Sequence, residues 1–166
     1  MAEIQSIRTI YAGVEFRSRL EARWAVFFDA MGIPWRYEPR RFPLEGKGSY
    51  LPDFRLWDVY YVEVKPDRYA TDDPEGYGIL AALVLLKQFT KQKDQDAIFL
   101  HGPPRIRAYS LVLDGHLGES VDLSRLAAVG PGYSHPTNSD GFEFFDRDAF
   151  KSGVTAAATY NWAVSA

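Results

Sequence analysis

The 166-residue chain contains no cysteine, and it has only two methionines and three histidines. Without cysteine there can be no disulfide, no thiol nucleophile and no thiolate zinc site, and the composition suits a reducing compartment. His101, His116 and His135 lack the spacing by which a helix or hairpin presents metal ligands, so loop or core roles are expected for them. Long apolar runs are also missing: Ile79 to Leu86 is far too short to span a bilayer. The opening residues, Met1 to Arg8, lack the apolar centre of a signal peptide. A soluble cytoplasmic protein with no membrane partner is therefore expected. There is no excess of positive charge either, since the formal net charge is −3, which argues against a general polyanion binder. Val129-Gly-Pro-Gly-Tyr133 has too few glycines in the right places for a phosphate loop and reads as a turn.

What is present is a core. Hydrophobic residues make up 46% of the chain and aromatics 15%, enough to bury a sheet under helices, so a single domain over residues 1–166 is expected. Charge is spread unevenly: up to Arg68 there are 11 basic and 10 acidic residues, and from Tyr69 onward 8 and 12. The arginines of the first part cluster as Arg17, Arg19 and Arg23, then Arg36, Arg40 and Arg41. Such patches can contact phosphate even on an acidic protein, although a solvated charged face accounts for any single cluster equally well.

Along the chain, residues 1–12 read as an irregular or strand-like lead-in. Phe16, Leu20, Trp24, Phe27, Phe28 and Met31 then follow the three-four spacing of an amphipathic helix over about 16–31, with Gly32 where a left-handed cap is wanted. Glu21 lies at the margin of that apolar stripe. Ser18-Arg-Leu-Glu21 also has the form of a capping box, which gives Glu21 a structural role beside any chemical one. Ile33 to Leu44 suggests a strand that its three prolines confine to an edge or interrupt, with Glu38 on it as an exposed acid. Glu45 to Ser49 is a turn, Asp67 to Glu75 an acidic loop, and Gly78 to about Gln92 a helix whose terminal lysines suit its dipole. Ala97–Leu100 and Ile106–Leu113 read as strands. Beyond Asp114 the pattern weakens, with Phe142 to Phe150 expected over the core and Val154 to Val164 as a final helix.

The centre of the chain is Tyr50 to Pro66. Asp53–Trp57 and Tyr60–Lys65 read as two strands joined by a tight turn near Asp58, both rich in aromatic and β-branched residues. Alternation puts Tyr60, Val62 and Val64 on an apolar face and Tyr61, Glu63 and Lys65 on the other. Antiparallel pairing can bring Asp53 across to Glu63. Two acids and an amine on one sheet face are costly unless something uses them.

Pro52-Asp53, Glu63-Val64-Lys65 and an acid on the preceding helix, in that order, resemble the PD-(D/E)xK nuclease superfamily. The longer pattern, Ser18-Arg-Leu-Glu-Ala-Arg-Trp-Ala, Trp35-Arg-Tyr-Glu-Pro, Pro52-Asp-Phe and Val62-Glu-Val-Lys, is similar to its phage-type junction-resolving and transposon end-cleaving branches. The resemblance covers about residues 16–113, with 114–166 as an extension packed on that core. It implies an α/β fold of the restriction-endonuclease type: a mixed sheet of four or five strands flanked by helices. The implied activity is a Mg²⁺-dependent endonuclease cutting DNA, branched or structured DNA included, with Mn²⁺ as substitute. Asp53, Glu63, Glu21 and the Val64 carbonyl would be the metal ligands, and Lys65 would assist the attacking water. Arg17, Arg19, Arg23, Arg36, Arg40 and Arg41 would touch the DNA backbone, and a homodimer would supply a second site or a partner subunit the specificity. The physics agrees: a hard divalent cation wants oxygen ligands beside a phosphate, and a nearby ammonium can neutralise developing charge. The alternative is a non-catalytic nucleic-acid-binding domain, or a subunit dependent on a partner, with the same fold.

Overall fold

A computed structural model describes residues 7–46, 48–66, 77–93, 97–104, 109–113, 117–122 and 147–162. The acidic stretch from Asp67 to Glu75, His116, His135 and the Val129 to Tyr133 turn lie outside those residues.

A two-stranded hairpin, β1 (Thr9–Tyr11) and β2 (Val14–Phe16), leads into helix α1 (Arg19–Ala30). The hairpin turns through Ala12 and Gly13, both at positive φ, which glycine adopts without strain. Ser18, in extended conformation, caps α1 by accepting the Glu21 N–H at 3.1 Å. The N-cap half of the capping box holds, with Glu21 returning to the Ser18 hydroxyl rather than to its backbone N–H, and it shortens the helix relative to the apolar spacing: Phe16 belongs to β2. Gly32, at φ 66°, follows the helix end as expected.

β3 (Trp35–Tyr37), β6 (Phe54–Leu56), β7 (Tyr60–Lys65), β8 (Ala97–His101), β9 (Tyr109–Leu113) and β10 (Leu117–Asp122) form one sheet in the order β10-β9-β8-β7-β6-β3. Among the described residues only the β7–β8 pair is parallel, its crossover running through α2 (Tyr77–Lys93); the sheet is thus mixed. Among the described residues it has six strands, against the four or five expected. The extra edge strand β10 carries Gly118 and two acids and pairs with β9 through an irregular register, so it lacks an alternating apolar pattern. A short hairpin of β4 (Phe42–Leu44) and β5 (Gly48–Tyr50) stands apart from the sheet.

Both sheet faces are covered. On one, α1 and the last helix, α3 (Arg147–Thr159), bury Trp24, Phe27 and Phe28 against Phe54, Leu56, Val62, Val64, Ile98 and Leu100. Phe27 and Phe150 meet edge to face, ring centres 5.6 Å apart. Gly153 makes the helix contact close: a Cβ there would lie 3.0 Å from the Met31 sulfur. The expected final helix is real but runs earlier, starting at Arg147 with Asp148 in its first turn, where an acid suits the helix dipole. On the opposite face, α2 and the β4–β5 hairpin enclose Phe42, Leu44, Tyr50, Tyr61, Leu86, Phe89 and Phe99. No described helix is long and apolar enough to cross a membrane.

Candidate functional site

Asp53, Glu63 and Glu21 are the acids that sequence reasoning singled out, and all three are buried, at 2%, 7% and 8% exposure. Three chain elements deliver them to two adjacent polar groups whose charges influence each other.

Asp53 precedes β6 at a point where the ladder is interrupted. Its N–H donates to the Val62 carbonyl at 2.9 Å, and its Oδ2 accepts the Val64 N–H at 2.7 Å. A carboxylate oxygen thus stands where a strand carbonyl would. The other oxygen, Oδ1, accepts from the Arg17 guanidinium at 2.6 Å. Burial and the nearby Glu63 push the Asp53 carboxyl up to about 8, with Lys65 and the Val64 amide pulling the other way.

Glu63 points from β7 to the α2 side. Its Oε2 accepts the Tyr50 hydroxyl at 2.8 Å, and its Oε1 is paired with the Lys65 ammonium. Burial and Glu63 raise Tyr50 well above the ordinary tyrosine value, so it remains a proton donor. Burial alone would lower Lys65, but Glu63 and Asp53 outweigh it and hold the ammonium above its ordinary value. The Lys65 backbone is fixed too, because its carbonyl accepts the Gly102 N–H at 2.7 Å and the Gly102 carbonyl accepts the buried Trp24 indole at 3.0 Å. The central tryptophan of α1 is in this way tied to the strand end that carries the lysine.

Glu21 comes from the first turn of α1. Its Oε1 accepts from the Ser18 hydroxyl at 2.8 Å and its Oε2 from the Tyr37 hydroxyl. Tyr37, raised by burial and by Glu21, also accepts the Arg17 backbone N–H at 3.0 Å. Arg17 closes the circuit: its Nε pairs with Glu38 at 2.6 Å while its Nη2 holds Asp53. Glu38 is thus drawn to the site rather than standing out from an edge strand, and its N–H donates to the Asp53 carbonyl at 2.8 Å.

The six arginines do not gather in one patch. Arg17 joins the acids. Arg36 pairs with Asp58 at the far end of the β6–β7 hairpin, Arg40 stacks on Phe42 at 4.9 Å, and Arg41 donates to Ser49. Arg19 and Arg23, on α1, are half-buried. Sequence reasoning passed over Tyr37 and Tyr50 as site residues. Their one local signal is position, three residues before Asp53 for Tyr50 and directly before Glu38 for Tyr37.

Four carboxylates therefore fall in two neighbouring groups: Glu21, Glu38 and Asp53 around Arg17 and Tyr37, and Glu63 with Lys65 and Tyr50, the two coupled through the charges of Asp53, Glu63 and Lys65. Among the described residues no three acids or histidines converge as a ready-made metal cage. The chemistry of the donor set still fits a hard divalent cation: the atoms are oxygens, and the acids outnumber the cations. Set beside family models, curated proteins and solved structures, the chain matches none of them.

Proposed function

We propose that the protein is a metal-dependent endonuclease that hydrolyses DNA phosphodiester bonds, with a restriction-endonuclease-like core. The observation that carries this reading is the placing of buried Asp53, Glu63 and Glu21, drawn from three chain elements, in two adjacent polar groups that feel each other's charge, with Lys65 paired to Glu63.

Asp53 and Glu63, with the Val64 carbonyl, would hold Mg²⁺ or Mn²⁺, and Glu21 would complete the oxygen set directly or through water. When bound, the ion supplies Lewis acidity at a phosphate oxygen and a more acidic water. The chain's own groups do the rest. Tyr50 fixes the Glu63 carboxylate, and Ser18 and Tyr37 fix Glu21, so the acids enter the reaction already oriented. Lys65, kept charged by Glu63 and Asp53, sits beside the acids to orient the attacking water or to offset charge growing on the phosphate. Binding to the sugar-phosphate backbone through arginine would be salt-dependent and indifferent to sequence.

A non-catalytic binding subunit is the rival reading, and one observation favours it: protein donors take both oxygens of Asp53, Glu63 and Glu21. The same experiment separates the two. Supercoiled plasmid and a four-way junction are incubated with Mg²⁺, Mn²⁺ or chelator, using wild type and folded Lys65→Ala. Metal-dependent cutting by wild type alone supports the enzyme, and the preferred substrate defines its class. Equal cutting by both proteins, or none, removes the catalytic assignment.

A further inference from the structure

Glu38 is the acid of the network that the nuclease reading leaves without a role. Its backbone is left-handed, at φ 42°, although it bears a side chain and directly precedes Pro39. Both features oppose that geometry: Cβ crowds the backbone at positive φ, and a residue before proline is driven toward extended conformation. The other described non-glycine residues at positive φ, Ala12, Trp57 and Asp58, lie in turns that join paired strands. Glu38 joins no such pair, since β3 pairs with β6 and β4 with β5. Strain of this sort persists where it places a group the molecule needs. Here it sets the Glu38 carboxylate 2.6 Å from Arg17 Nε while Arg17 Nη2 lies 2.6 Å from Asp53 Oδ1.

We infer that Arg17 is an exchangeable counter-ion of the site and that Glu38 is its positioning residue. The inference rests on the nuclease reading and extends it to how the site changes partners. Asp53 Oδ2 is committed to the Val64 amide, which leaves Oδ1, the atom Arg17 holds, for an incoming cation. Guanidinium and divalent cation repel each other and compete for that oxygen. Arg17 can give way without opening the core, because its side chain is 55% exposed. The Glu38 charge beside Nε, with the Tyr37 hydroxyl that accepts its N–H at 3.4 Å, keeps the guanidinium from drifting into solvent; its two Nη groups turn to the phosphate of the bound strand, whose oxygen pairs match the planar fork. Cation binding and phosphate capture are thereby coupled through one side chain.

The test compares wild type, Arg17→Gln, Arg17→Lys, Glu38→Ala and Glu38→Gly as full chains. Three quantities are read: Mn²⁺ affinity without DNA by electron paramagnetic resonance, plasmid cleavage in Mg²⁺, and melting temperature in chelator. Arg17→Gln should bind Mn²⁺ about tenfold more tightly, its internal rival gone, yet cut about 100-fold more slowly. Arg17→Lys should recover part of the cutting. Both Glu38 variants should lose cleavage to a similar extent, while Glu38→Gly melts about 2–4 °C above Glu38→Ala because glycine accepts the left-handed backbone. A bridge that only supports the fold predicts the reverse for the metal, so unchanged or weakened Mn²⁺ binding in Arg17→Gln overturns the inference. So does wild-type cleavage by the Glu38 variants. A wild type that binds and cuts while Arg17→Gln fails to tighten refutes this inference alone; a wild type that neither binds Mn²⁺ nor cuts removes the nuclease reading with it.

Discussion

The two faces of strand β7 make opposite uses of the same alternation. Val62 and Val64 face α1 and α3 in an all-carbon layer whose aromatic rings, Phe28 and Phe54 among them, meet edge to face at 5.3 Å. On the other face Tyr61 packs on Phe42 and Phe89, but two residues further the same face carries Glu63 and then Lys65. Stability is concentrated on the first face, and the polar end of the second holds groups that cost free energy to bury. The contrast teaches that burial alone does not identify core: Asp53 at 2% exposure is as enclosed as its phenylalanine neighbours. What separates them is whether each buried atom has found a partner.

The comparison breaks most visibly at Phe54. Phe54→Ala, on the carbon face, should lower stability by about 3–5 kcal/mol in urea unfolding. Lys65→Ala should leave a folded protein and instead reduce metal-dependent cleavage about 10²–10³-fold, read on plasmid DNA. The next effect is in pH. Asp53 titrates near 8 in the folded chain, above its ordinary value of 3.8, so the native state holds the proton more tightly than the unfolded one. Its stabilising contribution is complete below about 4 and is lost as pH rises through about 8. Urea unfolding of the metal-free protein at successive pH values should show that decline, and Asp53→Asn should flatten it; an equal slope in the variant would place the titration elsewhere. A smaller change is expected of Tyr50→Phe, which removes one hydrogen bond to Glu63 and should cost about 1 kcal/mol. Least of all, Arg36→Ala breaks only an exposed ion pair with Asp58 and should move stability by less than about 0.5 kcal/mol.

Much of this was legible in the sequence wherever the determinants are local. Ser18 and Gly32 mark the ends of α1, the β6–β7 hairpin reads from its residue types, and the approach of Asp53 to the strand that carries Glu63 follows from antiparallel pairing. The β1–β2 hairpin was visible only as a lead-in, because three-residue strands offer too few positions for a period. The face of Tyr61, expected to be polar, became a second core because α2 and the β4–β5 hairpin fold over it. That covering depends on contacts between distant segments, which no local pattern encodes. The same holds for the site. Glu21 could be placed on a helix, but its meeting with Tyr37, and that of Arg17 with both Glu38 and Asp53, exist only once strand β3 has docked beside β6.

The bond from the Val64 amide to the Asp53 carboxylate carries a consequence for assembly. A rung of the sheet is made by the side chain that would hold the ion, so the hairpin cannot zip fully until the acid is in place, and the acid cannot be in place on an unzipped hairpin. Under the proposed nuclease reading, folding and the arming of the site are then one event, and a half-folded chain would carry no competent centre.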